Sequence, residues 1–155
     1  MKKNKNEILK LLHDVFDPEI PVLNIVEMGI VRDVIFEEDE LLIKITPTYM
    51  GCPAMNAIEN DILDILFSNG LENVKVKTVY SPAWTTNWMS EETKNKLKKY
   101  GIAPPRESSE LLDKIECPFC NSDETILTSE FGSTACKSLH YCDHCHQPFE
   151  HFKCI

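Results

Sequence analysis

Apolar positions in the first hundred residues follow two rhythms. Ile8, Leu11, Leu12, Val15 and Phe16 recur at helical spacing and predict a helix over 5–16. The prolines of DPEIP, residues 17–21, stop it, because proline cannot continue the hydrogen-bond ladder. IVRDVIF at 30–36 and LLIKIT at 41–46 read as strands joined by the acidic turn EEDE. A second helix fits 53–68, with Ala54, Ala57, Ile58, Ile62, Ile65 and Leu66 on one face and Asn69-Gly70 as its C-terminal cap. VKVKTVY at 74–80 alternates as a third strand. Ser90, followed by Glu91, Glu92 and Thr93, opens a lysine-rich helix that runs to Tyr100; Gly101 and Pro104-Pro105 stop it. The order α-β-β-α-β-α predicts an α+β fold, a small mixed sheet with helices on one face. Residues 1–103 then form the first domain, 104–115 a linker, and 116–155 a second, smaller domain.

That second domain has short strands, such as ETILTSEF, and little apolar sequence with which to build a core. It has cysteines instead. Cys117 and Cys120 form one Cys-x-x-Cys pair, Cys142 and Cys145 another, with 21 residues between them. Each pair turns two thiolates to one side of a tight loop. Two such knuckles facing each other supply the tetrahedral sulfur shell that Zn²⁺ prefers. The alternative is surface disulfides or unrelated thiols, which pairing at both ends disfavours. Four sulfurs close the shell, so the predicted zinc ribbon is a structural site that leaves no position for substrate. His140, His144, His146 and His151 gather around the second knuckle and read as surface or supporting residues. Cys136 lies between the knuckles and reads as packed inside the ribbon rather than as a ligand. Cys154 reads as a free thiol in the tail.

Composition narrows the setting. The chain has 155 residues, 43% hydrophobic and 26% charged, as expected of one or two small globular domains. No apolar run approaches the roughly 20 residues of a membrane span, and the N-terminus reads as a helix rather than a signal peptide. Seven cysteines, four at metal spacing, fit a reducing cytoplasm. The formal charge is −9, and residues 106–155 contribute −5 of it. Nucleic-acid binding needs Lys and Arg to neutralise phosphates, so the ribbon is expected to meet protein, not DNA or RNA.

The chemistry of the first domain centres on TPTYMGCPA, 46–54. Cys52-Pro53 is expected to open the second helix, with proline at the first helical position. Cys52 would then sit beside unpaired N–H groups and the positive end of the helix dipole, which favour a thiolate. It is a candidate low-pKa, reactive or metal-binding cysteine; the other reading is a small buried apolar side chain. Asp17 and Glu19, on the other proline-bounded loop, either face this site or cap the helix end and turn. No nucleophile–base pair is legible, so the chain is not expected to catalyse a reaction alone. Trp84 and Trp88 are either an aromatic patch for a partner or a lid near Cys52, or they pack their loop onto the sheet. Lys94, Lys96, Lys98 and Lys99 make a basic helix face that reads as solvated before it reads as a docking site.

DPEIPVLNIVEMGIV at 17–31, the strand–turn–strand after it and TPTYMGCPA resemble the metal-sulfur cluster assembly domain family, which includes SufT-like proteins. The resemblance implies help in delivering or maturing iron–sulfur clusters, with Cys52 as the matching cysteine and Asp17 and Glu19 as the matching acidic residues. A narrower likeness spans nearly the whole chain. YSPAWTTNWMSEETKNKLKKYGIAPP at 80–105, CPFC, SEFGSTACKSL at 129–139, YCDHC and PFEHFK resemble the PaaD (PaaJ) subunits of phenylacetyl-CoA 1,2-epoxidase systems. That implies an accessory or maturation subunit partnered by the oxygenase and reductase subunits, which carry the oxygen and electron chemistry. A structural Zn²⁺ and a transient Fe or Fe–S cluster are the implied metals. The chain shows no nucleotide glycine loop and no Glu-x-x-His pair of a di-iron bundle, consistent with that division. Its ending, HFKCI, departs from the resemblance at Cys154.

Overall fold

The computed structural model describes residues 3–106 and 114–153. Cys154 and most of the expected linker lie outside the described residues. Packing divides the chain into two compact units, Met1–Trp84 and Thr85–Ile155.

The first unit begins with α1 (Lys5–Leu12). Asn4 accepts from the Glu7 N–H while Glu7 reaches back to the Asn4 N–H, a reciprocal capping box. The helix ends four residues earlier than its apolar spacing predicts. Asp14 and Val15 donate three residues back, to Leu11 and Leu12, and this tightening turns the chain into the DPEIP loop. β1 (Val31–Phe36) and β2 (Leu41–Ile45) form an antiparallel hairpin across the EEDE turn. α2 (Met55–Ser68) then crosses to β3 (Val74–Thr78), which pairs parallel with β2, giving the mixed order β1-β2-β3. Ile8 and Leu12 of α1, Ile58, Ile62 and Leu66 of α2, and Leu41, Ile43 and Ile45 of β2 are buried together with the sheet. The loop between α1 and β1 adds as much: Ile20, Leu23, Ile25, Met28 and Ile30 are all essentially inaccessible. A stretch that reads as a helix stop is therefore a packed wall of the core.

The second unit opens with a 3₁₀ turn (Thr86–Trp88) and α3 (Glu91–Tyr100). Ser90 caps α3 through the Thr93 N–H, and Gly101 closes it at φ 95°, where a Cβ would be strained. α3 does not join the first sheet as its place in the predicted order suggests. It leads into β4 (Ile102–Ala103), which pairs parallel with β7 (Pro148–Phe152). With β5 (Thr125–Ser129) and β6 (Lys137–Cys142) this makes a second sheet, ordered β4-β7-β6-β5. Beneath the knuckles the core is a small cluster of Ala103, Cys117, Cys142 and Phe149. Two of its four members are the cysteines themselves.

Candidate metal centre and the Cys52 loop

Two loops of the second unit are built alike. Cys117 N–H donates to Ser122 O and Asn121 N–H donates back to Cys117 O, both at 2.9 Å. In the other loop Cys142 N–H donates to Gln147 O at 3.0 Å and His146 N–H to Cys142 O at 2.9 Å. The residue after each second cysteine is left-handed, Asn121 at φ 62° and His146 at φ 59°. This tight reversal turns both thiols of a pair to one side.

Facing each other, the two loops bring the sulfurs of Cys117, Cys120, Cys142 and Cys145 within 4.8 Å of one another. Cys117 Sγ lies 3.7 Å from Cys145 Sγ, and Cys120 Sγ 3.6 Å from Cys142 Sγ. A tetrahedron of sulfurs with metal–sulfur bonds of about 2.3 Å has an edge of about 3.8 Å, whereas a disulfide is about 2.05 Å. The donor set thus fits a four-sulfur ion and is wrong for disulfides. Crowding splits the thiols. Burial, with the other three sulfurs, pushes Cys145 up to about 12. Burial also opposes ionisation of Cys142, but the N–H groups of Cys145 and His144 prevail and draw it down to about 7. A bound cation relieves this crowding by taking all four as thiolates. Among the described residues, this is the one group of three or more Cys, His, Asp or Glu side chains gathered so closely.

The nearby residues divide between the surface and the sheet. His144 and His146 are exposed, but His140 and His151 are buried in the sheet rather than on the surface. His140 stacks on Phe149 and meets Ser138 at 2.9 Å; His151 Nδ1 donates to Ala103 O at 3.1 Å. Cys136 is buried, 3.0 Å from Thr134 Oγ1 and outside the four-sulfur group, as its packed reading expects.

In the first unit the chain turns sharply after β2. Cys52 N–H donates to Tyr49 O at 3.3 Å across Gly51, at φ 75°. α2 starts only at Met55, with Ala54 as its N-cap, so Cys52 is two residues ahead of the cap and not beside it. The expectation of a low-pKa thiol is corrected accordingly. Burial pushes the half-buried Cys52 thiol up, and Glu19 and Asp17 push the same way. Hydrogen bonds from the Ala54 N–H and the Tyr49 side chain oppose them without prevailing. Both acids therefore act on this sulfur, although the three do not form a tight ligand cluster like that of the ribbon. Asp17 also braces its own loop. Its Oδ1 accepts from the Glu19 and Ile20 N–H groups at 2.7 and 3.3 Å and pins the DPEIP turn. The sequence reading missed Tyr49, whose hydroxyl donates to Glu19 Oε1 at 3.4 Å. Its signal was the Tyr-x-Gly-Cys spacing, which folds Tyr49 back on Cys52.

Trp84 packs: it is 3% exposed and its indole N–H donates to Met28 O at 2.7 Å. Lys94 pairs with Glu91 at 3.1 Å and Lys98 with Glu116 at 3.0 Å; Lys94, Lys96 and Lys98 are partly covered and Lys99 is exposed, so the face is less solvated than its sequence suggests.

Comparisons with known proteins follow the same division. A family described as "Iron-sulfur cluster assembly protein" matches residues 5–79, and one described as "PaaD zinc beta ribbon domain" matches 102–153. The putative D subunit of 1,2-phenylacetyl-CoA epoxidase from Escherichia coli (strain K12) is 46% identical over 153 residues, 97% of this chain and 93% of that protein. The Fe-S protein maturation auxiliary factor YitW of Bacillus subtilis (strain 168) is 37% identical over 92 residues, 58% of this chain and 89% of that one. A solved domain of unknown function from Bacillus anthracis superposes with a TM-score of 0.56 at 32% identity, covering 60% of this chain and 90% of that one.

Proposed function

The chain belongs to the family of PaaD-type subunits of 1,2-phenylacetyl-CoA epoxidase, and from that premise we propose that it is an accessory, maturation subunit of a multicomponent phenylacetyl-CoA 1,2-epoxidase. It assists insertion of iron or an iron–sulfur cluster into a partner. The observation that carries this reading is a likeness running through both units at 46% identity. The separate likeness of the first unit to Fe-S maturation auxiliary factors supports the maturation part. Cys52 is the proposed transient ligand for the iron cargo, with Asp17 and Glu19 as the acidic groups that favour an arriving cation beside the sulfur. A thiolate suits a soft or borderline metal held briefly. Cys117, Cys120, Cys142 and Cys145 hold Zn²⁺, which closes the ribbon as a structural ion and supplies no chemistry to substrate. The partners are proteins, the oxygenase and reductase subunits of the epoxidase, and the setting is the cytoplasm. The acidic second unit is a poor surface for nucleic acid.

The test is reconstitution of phenylacetyl-CoA epoxidation with wild-type protein and Cys52→Ser. Folded Cys52→Ser that fails to support epoxidase activity agrees with the proposal, and full activity with it removes Cys52 from the function. Similarity of the first unit alone to auxiliary factors favours a second reading, a general iron–sulfur assembly factor. A deletion strain separates the two. Growth lost only on phenylacetate supports the epoxidase, whereas broad loss of cluster enzymes supports the general factor. A structural bridge without metal chemistry would instead co-purify stoichiometrically with the oxygenase and be indifferent to Cys52→Ser.

A further inference from the structure

Resting on the reading of Cys52 as a transient ligand, we infer that Tyr49 is the positioning residue of that site. Its single hydroxyl proton is shared between the Cys52 sulfur and the Glu19 carboxylate, and so couples the two side chains that meet the cargo. Three observations converge. The hydrogen bond from Cys52 N–H to Tyr49 O and the positive φ of Gly51 in the third position are those of a type II turn, which fixes the two side chains relative to each other. The Tyr49 hydroxyl reaches across to the DPEIP loop and donates to Glu19 Oε1 at 3.4 Å, a long bond that leaves room to redirect the proton. The same side chain acts on the Cys52 thiol, favouring its ionised form against the burial that opposes it. A tyrosine hydroxyl has one proton to give, and both neighbours accept.

Groups that hydrogen-bond a metal's ligands orient them and set the electron density they donate, so removing one commonly changes affinity about tenfold or more. A donor aimed at a thiolate also lowers the energy of the sulfur electrons, which shifts the sulfur-to-metal charge-transfer band to shorter wavelength. Glu19 competes for that proton. The two residues should therefore act on the band in opposite directions.

The experiment uses full-length protein with its ribbon filled with zinc, titrated anaerobically with Co²⁺ alone. The Cys52-dependent signal is isolated by subtracting Cys52→Ser. Tyr49→Phe, which keeps the ring, is expected to move the charge-transfer band to longer wavelength and weaken Co²⁺ binding about tenfold. Glu19→Gln, which removes the charge competing for the hydroxyl proton, is expected to move it to shorter wavelength. A Cys52-dependent band that stays put in Tyr49→Phe, or moves the same way in both variants, overturns the inference and leaves the maturation reading intact. The absence of any Cys52-dependent band in wild type overturns both.

Discussion

His151 offers a test of how the second unit is held together. It lies on β7, 6% exposed, with its Nδ1–H bonded to Ala103 O of β4. Its ring meets that of His140 edge-on at 5.8 Å. Burial is the main force on its titration, and His140 and Arg106 add like charge. Against the opposing hydrogen bond to Ala103, they bring His151 down to about 4. An unfolded histidine titrates near about 6.5. Above that pH neither state binds the proton and His151 contributes no pH dependence. As pH falls below it, the unfolded chain takes up the proton and the folded chain does not, so stability is lost until the folded pKa is reached. Linkage over that window puts the loss between pH 7 and pH 5 at about 2 kcal/mol. Urea unfolding of the zinc-filled protein at both pH values, followed through the amide resonances of β6 and β7, measures it. Protonation of the four thiolates adds its own pH dependence in wild type and in His151→Gln alike, and cancels in the difference. The variant should lose about 2 kcal/mol less than wild type between pH 7 and pH 5. Equal losses in the two proteins would refute the reasoning.

Metal removal should act on one unit only: a strong chelator is expected to erase amide exchange protection in β5 to β7 and leave β1 to β3 protected, since the second unit's core is partly its own ligands. Trp84→Phe removes the donor to a buried carbonyl and should cost the first unit about 1–3 kcal/mol in urea unfolding, with no change in zinc content. Gly132→Ala sets a Cβ against Glu150 Oε2 and pushes that flexible carboxylate away from Ser133 and Lys137; a slightly lowered melting point is expected, and an unchanged one would show the carboxylate moves freely.

What the sequence made legible was what local rules govern. The helix start at Ser90 and the stop at Gly101 are capping events within a few residues, and the β1–β2 hairpin is set by alternation and its turn. The four ribbon cysteines were legible for the same reason, because each knuckle is closed by hydrogen bonds inside six residues. What stayed hidden depends on distant partners. β4 is two residues long and exists only because β7 lies beside it. The contribution of the DPEIP loop to the core follows from Ile25 N–H reaching back to Val15 O, which no periodicity announces. For Cys52 the sequence misjudged the environment. The helix begins later than Pro53 suggests, and the acids that raise its pKa arrive from more than thirty residues away.

The parallel pairing of β4 with β7 also bears on portability. A ribbon excised at its first cysteine and grafted elsewhere would leave behind Ile102 and Ala103, and with them the carbonyl that His151 addresses and the strand that covers the outer edge of β7. Such a graft would keep all four ligands, yet present a naked strand edge open to pairing with another chain. The smallest transplantable piece therefore begins upstream of β4, and swaps between relatives should be cut in the segment before α3 rather than in the one that precedes Cys117.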